Sequence, residues 1–223
     1  MPGFGFGAVR GRARRRGSGL TAQGLLIASM NAAGGQSALH DYRLATVSGV
    51  PEFLSADLTA NGNDHYATAA GTVPTVGAGG ATFDANDSAR QAISGGTFTC
   101  VISFTPGALG TAGRFFSDQG GSTAVIYSSS NTSVLTAPVY VYENGVGGIV
   151  ATRKDLYDAM VAASGEVVIM ATGLDFTADT ELLVGHTTAS GPGVYRKAAI
   201  IDEVTHAATL AADRALALEA LAA

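Results

Sequence analysis

The chain has 223 residues, a formal net charge of -5 and only 14% charged residues. Five of its thirteen Lys and Arg residues lie within residues 1–16, so this segment contributes +5 and residues 17–223 carry -10. An acidic body argues against a nucleic-acid-binding domain, the single cysteine excludes an internal disulfide, and no apolar run approaches the roughly 20 residues of a membrane-spanning helix.

Residues 1–19 are predicted to form a docking arm. Glycine alternates there with Phe and Arg, so the segment buries too little apolar surface to offset its own ordering entropy. Two phenylalanines spaced two apart fall on one face of an extended chain, which suits a partner's apolar groove. Protein docking is therefore favoured over a disordered tail and over nucleic-acid binding. The predicted docking residues are Phe4, Phe6, Arg10, Arg12, Arg14, Arg15 and Arg16.

Residues 20–54 are expected to form a connector, with a short helix around Leu25–Ala33 and an extended stretch at Tyr42–Val50. The following pattern of short apolar runs and glycine-rich turns favours a single all-β domain. The run TFTCVISF alternates strongly, so we expect a strand with one buried face that includes Cys100. Predicted strands cover residues 80–84, 89–93, 97–104, 114–117, 123–128, 134–143, 166–172, 180–185 and 198–204.

The pair Asn144-Gly145 stands between two β-branched or aromatic runs and predicts a two-residue hairpin turn. Next, Thr152 with Asp155 three residues later predicts a capped helix, with Leu156, Met160 and Val161 facing inward. The last fourteen residues, LAADRALALEALAA, predict a closing helix. Its expected inward face consists of Leu210, Leu218 and Leu221.

The order of motifs resembles the laminin-G/concanavalin A-like jelly rolls of virion proteins. Residues 57–63 (DLTANGN) match the opening of that family, the run GGTFTCVISFTP follows, and residues 198–223 match its closing strand and helix. Ala211 departs from the pattern, because the family usually has a capping Ser there. The resemblance covers about residues 55–223 and implies an antiparallel jelly-roll sandwich with an extended N-terminal arm and a C-terminal helix.

The arm resembles the amino termini of small tail- or head-associated bacteriophage proteins. Together the two resemblances imply a virion structural protein, such as a tail fibre, spike or head decoration, on the surface of the phage head or tail. It would be attached to other virion proteins through residues 1–19 and would display residues 55–223, with host-surface glycan as a candidate ligand. We expect a homo-oligomer, with a trimer as the first expectation. The alternative is a stand-alone glycan-binding or glycan-cleaving module.

The sequence argues against an enzyme. Glycoside hydrolases of the concanavalin A-like class carry their carboxylates as Glu-x-Asp-x-x-Glu on one strand, and this pattern is absent. The four histidines are scattered and the Gly-x-Ser-x-Gly motif is missing. We therefore expect no cofactor, with calcium as the one candidate ion.

Candidate binding residues are few. The glycan candidates are tyrosines on predicted strands or near a Gly-Pro-Gly loop, although packing is the commoner role of such residues: Tyr127, Tyr140, Tyr142 and Tyr195. Calcium prefers oxygen ligands, and two acidic loops offer them. The first loop contains Asp84, Asn86 and Asp87, and the second contains Asp57, Asn61, Asn63 and Asp64. Asp and Asn also stabilise turns, so a purely structural role is the alternative for both loops.

Overall fold

The computed structural model describes residues 20–47, 53–67 and 70–223, so the predicted docking arm lies outside the described residues. Three α-helices are present in this part of the chain: α1 (Ala22–Ala33), α2 (Arg153–Ala162) and α3 (Leu210–Leu221). The strands are β1 (Ala38–Asp41), β2 (Thr46–Val47), β3 (Phe53–Ser55), β4 (His65–Tyr66), β5 (Thr75–Gly77), β6 (Gly80–Phe83), β7 (Ser88–Ala92), β8 (Thr97–Pro106), β9 (Ala112–Ser117), β10 (Ala124–Ser128), β11 (Val134–Glu143), β12 (Val146–Thr152), β13 (Val167–Asp175), β14 (Glu181–Gly185) and β15 (Gly193–Asp202).

The strands form two sheets in which neighbouring strands run antiparallel. Sheet A has the order β12-β11-β13-β8-β15-β6-β5, with β1 also paired to β15. Sheet B has the order β10-β9-β14-β7-β4-β3-β2. The expected all-β architecture with two antiparallel sheets and a C-terminal helix is therefore confirmed.

The main hydrophobic core lies between the two sheets. Phe98, Cys100 and Phe104 of β8 are fully buried and face this core, as the alternation in their sequence predicts. Rings from the opposite sheet meet them, and Phe104 lies 5.0 Å from Phe115 between ring centroids. Aromatic pairs at this spacing and tilt add to the stability that burial alone provides.

A second core covers the outer face of sheet A. Helices α1 and α3 pack on this face, and Met30 of α1 and Leu221 of α3 are fully buried in one hydrophobic cluster with Val101 of β8. The expectation that β8 has only one buried face is therefore wrong, because Thr99, Val101 and Ser103 are also fully buried. Residues remote in sequence create this second core, so alternation within β8 alone does not reveal it.

Residues 20–54, expected as a connector, supply α1, β1, β2 and part of β3 to the two sheets and the helical layer. The helix expected around Leu25–Ala33 is present and begins at Ala22, with Thr21 as its N-cap. The stretch expected to be extended instead begins with a 3₁₀ turn at Tyr42–Leu44, because the Asp41 side chain accepts a hydrogen bond from Arg43 N.

The hairpin between β11 and β12 is confirmed. Asn144 and Gly145 both have positive φ, at 51° and 73°, as a two-residue turn of this kind requires. The cap of α2 is also confirmed, since Thr152 and Asp155 form a reciprocal capping box. The inward face of α2 is correct for Leu156 and Met160 but wrong for Val161, which is 60% exposed.

The inner face of α3 also differs from the expectation. Leu221 is buried as expected, but Leu210 and Leu218 are only half-buried. Ala217 and Ala220 fill the inner positions instead. Small residues there allow the helix to approach sheet A closely, and Leu218 lies on the flank of the helix.

Candidate functional site: a groove beside helix α3

A groove of about 750 Å³ opens on the outer face of sheet A, where helix α3 stops covering the strands. Tyr142 of β11 and Val168 of β13 are paired neighbours and form its floor. Leu218 and Glu219 stand on the wall that α3 provides, and the Asn144 turn lies at the rim. The groove falls within the range of volumes that small-molecule sites usually have. Its remaining lining residues are Gly145, Glu166, Ala215 and Ala222.

Polar contacts at both ends fix α3 against the sheet and so hold the groove open. Near the end of α3, the ammonium of Lys197 donates a hydrogen bond to the carbonyl oxygen of Ala220 at 2.7 Å. Near its start, Arg214 donates to Thr99 Oγ1 at 2.8 Å and to Glu203 Oε1 at 2.7 Å. Burial, followed by the nearby charge of Arg43, lowers the pKa of Lys197. The groove therefore has a fixed wall.

The groove combines an aromatic floor with hydrogen-bonding groups. Burial, and then the neighbouring Tyr140, raises the pKa of Tyr142, so its phenol stays protonated and able to donate. Glu166 accepts from Arg196 in an ion pair, whereas Glu219 is exposed and has no partner among the residues that the structure describes. A ring face beside carboxylate and amide groups matches the surface of a sugar, which has an apolar face and a rim of hydroxyls.

The four candidate tyrosines separate into two pairs. Tyr127 and Tyr195 are fully buried, so neither ring offers a face to a ligand. Tyr127 packs on Phe115, and the Tyr195 hydroxyl donates to the carbonyl oxygen of Gly191 at 2.8 Å. Tyr140 and Tyr142 are half-buried and share the outer face of sheet A, and only Tyr142 lines the groove.

The loop containing Asp84, Asn86 and Asp87 is a turn whose carboxylates accept hydrogen bonds from backbone N–H groups of the same loop. The Asp84 carboxylate accepts from Asn86 N at 2.8 Å, and the Asp87 carboxylate accepts from Asp84 N at 2.9 Å. Burial raises the pKa of Asp87 to about 6, which disfavours the charged form that a cation needs. Within residues 20–47, 53–67 and 70–223, no group of three His, Cys, Asp or Glu side chains is placed to hold a metal ion.

The second acidic loop fastens the chain to strand β1. The Asp57 carboxylate accepts hydrogen bonds from the backbone N–H groups of Leu39, Thr59 and Asn63, at 3.1, 2.9 and 3.1 Å. The Asn61 amide donates to the carbonyl oxygen of Ser37 at 2.9 Å. These side chains are used in holding the loop, which explains the acidic and amide composition of DLTANGN without a ligand.

Sequence reasoning missed a buried imidazole pair. His40 of β1 and His65 of β4 are fully buried and stacked, with ring centroids 3.5 Å apart. His40 Nδ1 lies 3.2 Å from the carbonyl oxygen of Ser55, and His65 Nδ1 lies 2.9 Å from the Tyr42 hydroxyl. Burial is the largest cause that lowers the pKa of each imidazole, to about 4 for His40. The two residues are 25 positions apart, so no local signal links them.

No family model matches the sequence, and comparisons with curated proteins and with solved structures give no significant match either. None of the helices in the described part of the chain is long and apolar enough to cross a membrane.

Proposed function

We propose that the protein is a bacteriophage virion structural protein, a tail fibre, spike or head decoration, that displays a jelly-roll body for attachment to host-surface glycan. The observation that carries this proposal is the groove, in which the Tyr142 ring lies beside Asn144 and Glu219. A pyranose stacked on Tyr142 places its hydroxyls near these amide and carboxylate groups. Binding needs only shape and hydrogen bonds, and we propose no catalytic step.

The path of the chain supports the jelly-roll assignment. After β6 in sheet A, the chain enters sheet B at β7, returns to sheet A at β8, and enters sheet B again at β9. The chain changes sheet again from β13 in sheet A to β14 in sheet B, and returns to sheet A at β15. Repeated crossing between two packed antiparallel sheets is typical of jelly rolls.

The composition of the arm supports the virion part of the proposal. Residues 1–16 carry +5 while the rest of the chain carries -10, so attachment and display are separated along the sequence. In the proposal, Phe4 and Phe6 occupy apolar pockets of another virion protein, and the arginines meet acidic surface. Several copies of the arm in one oligomer make attachment durable even where each arm binds weakly.

The first experiment measures binding of the full chain to an array of bacterial surface polysaccharides. We expect retention of at least one glycan and at least a tenfold loss of affinity in Tyr142→Ala, about the effect of removing one stacked ring. The control is Tyr66→Ala, which removes a half-buried tyrosine of sheet B that stacks under Arg90. Equal binding by the two variants would contradict the groove as the site.

The second experiment separates the virion proposal from the alternative of a stand-alone module. Phe4→Ala/Phe6→Ala, and a variant with Ser at all five arginines of the arm, are expected to lose incorporation into particles while keeping glycan binding. A chain that incorporates normally in both variants would contradict arm-mediated attachment. Release of shortened sugar from the bound polysaccharide would favour the glycan-cleaving alternative.

A further inference from the structure

The open edge of sheet A is strand β12, and its seven residues, VGGIVAT, carry no charge. Val146 and Ile149 are 78% and 66% exposed, so apolar side chains accompany the unpaired backbone. Exposed, uncharged strand edges readily pair with another chain, and natural proteins usually protect them with charges, proline, short length or a covering element. No strand among the described residues pairs with the outer side of β12.

The other edges of the two sheets are protected in these ways. Strand β5 has three residues and strand β2 has two, which is too short for extended pairing. Strand β1 pairs only with β15, and the Asp57 loop covers its free side, because Leu39 N donates to the Asp57 carboxylate and Leu58 N donates to the carbonyl oxygen of Leu39. Strand β10 has helix α2 against it, with the Tyr127 and Tyr157 rings 6.0 Å apart. Helix α2 also approaches the end of β12 from which it begins, but residues 146–149 remain exposed. Strand β12 is thus the long edge that the described residues leave accessible.

The turn geometry determines which residues of β12 face outward. Asn144-Gly145 forms a two-residue hairpin, so Glu143 and Val146 exchange both backbone hydrogen bonds. Alternation then directs the backbone groups of Gly148 and Val150 toward β11 as well. The N–H and C=O groups of Gly147, Ile149 and Ala151 consequently point away from the sheet, toward the open edge.

We infer that β12 pairs antiparallel with β12 of a second copy of this chain, around a twofold axis at Ile149. In this register Ile149 faces Ile149 of the partner subunit, and Gly147 faces Ala151 of the partner subunit. All three outward-facing residues then exchange their backbone hydrogen bonds, and the two eight-stranded sheets become one continuous sheet. A twofold pairing gives a dimer, in place of the trimer expected from the sequence.

Charge favours a second copy as the occupant. The body of the chain carries -10, so most pairs of surfaces would repel each other, whereas β12 is neutral. Antiparallel pairing also brings Glu143 near the start of the partner's helix α2, where the cations Arg153 and Lys154 are balanced by Asp155 and Asp158. The ends of the paired strands therefore add no block of like charge that would oppose a second copy.

The twofold axis determines how the two grooves of the dimer are oriented. Dimerisation through β12 does not rest on the proposed glycan binding. Pairing within one sheet keeps the same face of both copies on the same side. Both Tyr142 side chains lie on the outer face of sheet A, so both grooves would open in one direction. A dimer of this kind would hold one surface at two points and gain avidity.

The test uses the full chain with two variants. In Ile149→Lys, like charges face each other across the axis, and we expect the dimer dissociation constant from sedimentation equilibrium to rise by about tenfold or more. In Ile149→Cys, the facing Cα atoms are expected about 5.5 Å apart, a separation that a disulfide spans. Mild oxidation should then give a covalent dimer through the two introduced thiols. The one native thiol, Cys100, is buried and therefore does not compete in the reaction.

The matched controls are Val161→Lys and Val161→Cys, which change a residue of helix α2 that is 60% exposed and lies outside the β12 edge. They should leave dimerisation and cross-linking at the wild-type level. A monomeric full chain at high micromolar concentration would overturn the inference, whether the edge is empty or covered by the chain's own arm. An oligomer that Ile149→Lys does not weaken would overturn it too.

Discussion

Lowering the pH tests the buried imidazole pair. The pKa of His40 lies at about 4 in the folded chain, against an ordinary value of 6.5, and burial is the main cause. The unfolded chain therefore binds more protons between these two values, so the folded state loses stability as the pH falls through this window. For His40 alone, the free energy of unfolding should decrease by about 2 kcal/mol between about pH 7 and about pH 4.5.

The structure explains why protonation is unfavourable. Because the Ser55 carbonyl oxygen only accepts, neutral His40 holds its proton on Nδ1. A second proton would go to Nε2, which is buried and has no hydrogen-bond partner among the described residues. The carboxylates of Asp57 and Asp64 oppose the effect by favouring the charged form, but they do not outweigh burial. His65, stacked beside it, has its pKa lowered first by burial and then by His40.

The assay is urea unfolding at several pH values, followed by circular dichroism, for the wild type and for His40→Phe. The variant keeps a ring against His65 but cannot titrate, so the difference between the two slopes isolates His40. This comparison is needed because burial raises the pKa of Asp87 to about 6, which stabilises the folded state as the pH falls. Equal pH dependence in the two proteins would refute the reasoning.

Two further changes test how local polar groups hold the fold. Thr152→Ala removes the cap of α2 and should lower the free energy of unfolding by about 1 kcal/mol in urea unfolding, whereas Thr152→Ser should keep most of it. Asp57→Ala leaves three backbone N–H groups without their acceptor and should cost about 3 kcal/mol in the same assay, with a smaller loss in Asp57→Asn. An unchanged free energy of unfolding in urea for either alanine variant would contradict the role assigned to that residue.

Local signals in the sequence predict much of the fold. The strand at residues 97–104, the Asn144-Gly145 turn and the Thr152 cap each involve residues that are near one another in the chain, and all three are confirmed. The single buried face expected of that strand is wrong, because the helical layer covers its other face. Alternation along β11 likewise places Tyr140 and Tyr142 on one face of the strand, and in the structure both lie on the outer face of sheet A.

What the sequence does not predict depends on distant residues. The helical layer forms because α1 and α3, nearly 180 residues apart, meet on the outer face of sheet A. That layer buries Val101, determines which tyrosines stay accessible, and supplies the groove wall at Leu218. The His40–His65 stack likewise needs β1 and β4 to be brought together by two different sheets. The periodicity of hydrophobic residues within one segment does not show which distant segments pack against it.

The most direct test of the central claim is a map of where glycan binds. Backbone amide and methyl NMR signals of the full chain are recorded while a polysaccharide fragment retained on the array is added. We expect the largest shifts at Tyr142, Asn144, Leu218 and Glu219, and we expect Tyr142→Ala to need at least tenfold more fragment for the same shifts at the other three residues. Shifts centred on sheet B around Tyr66, with the groove signals unchanged, would contradict this expectation.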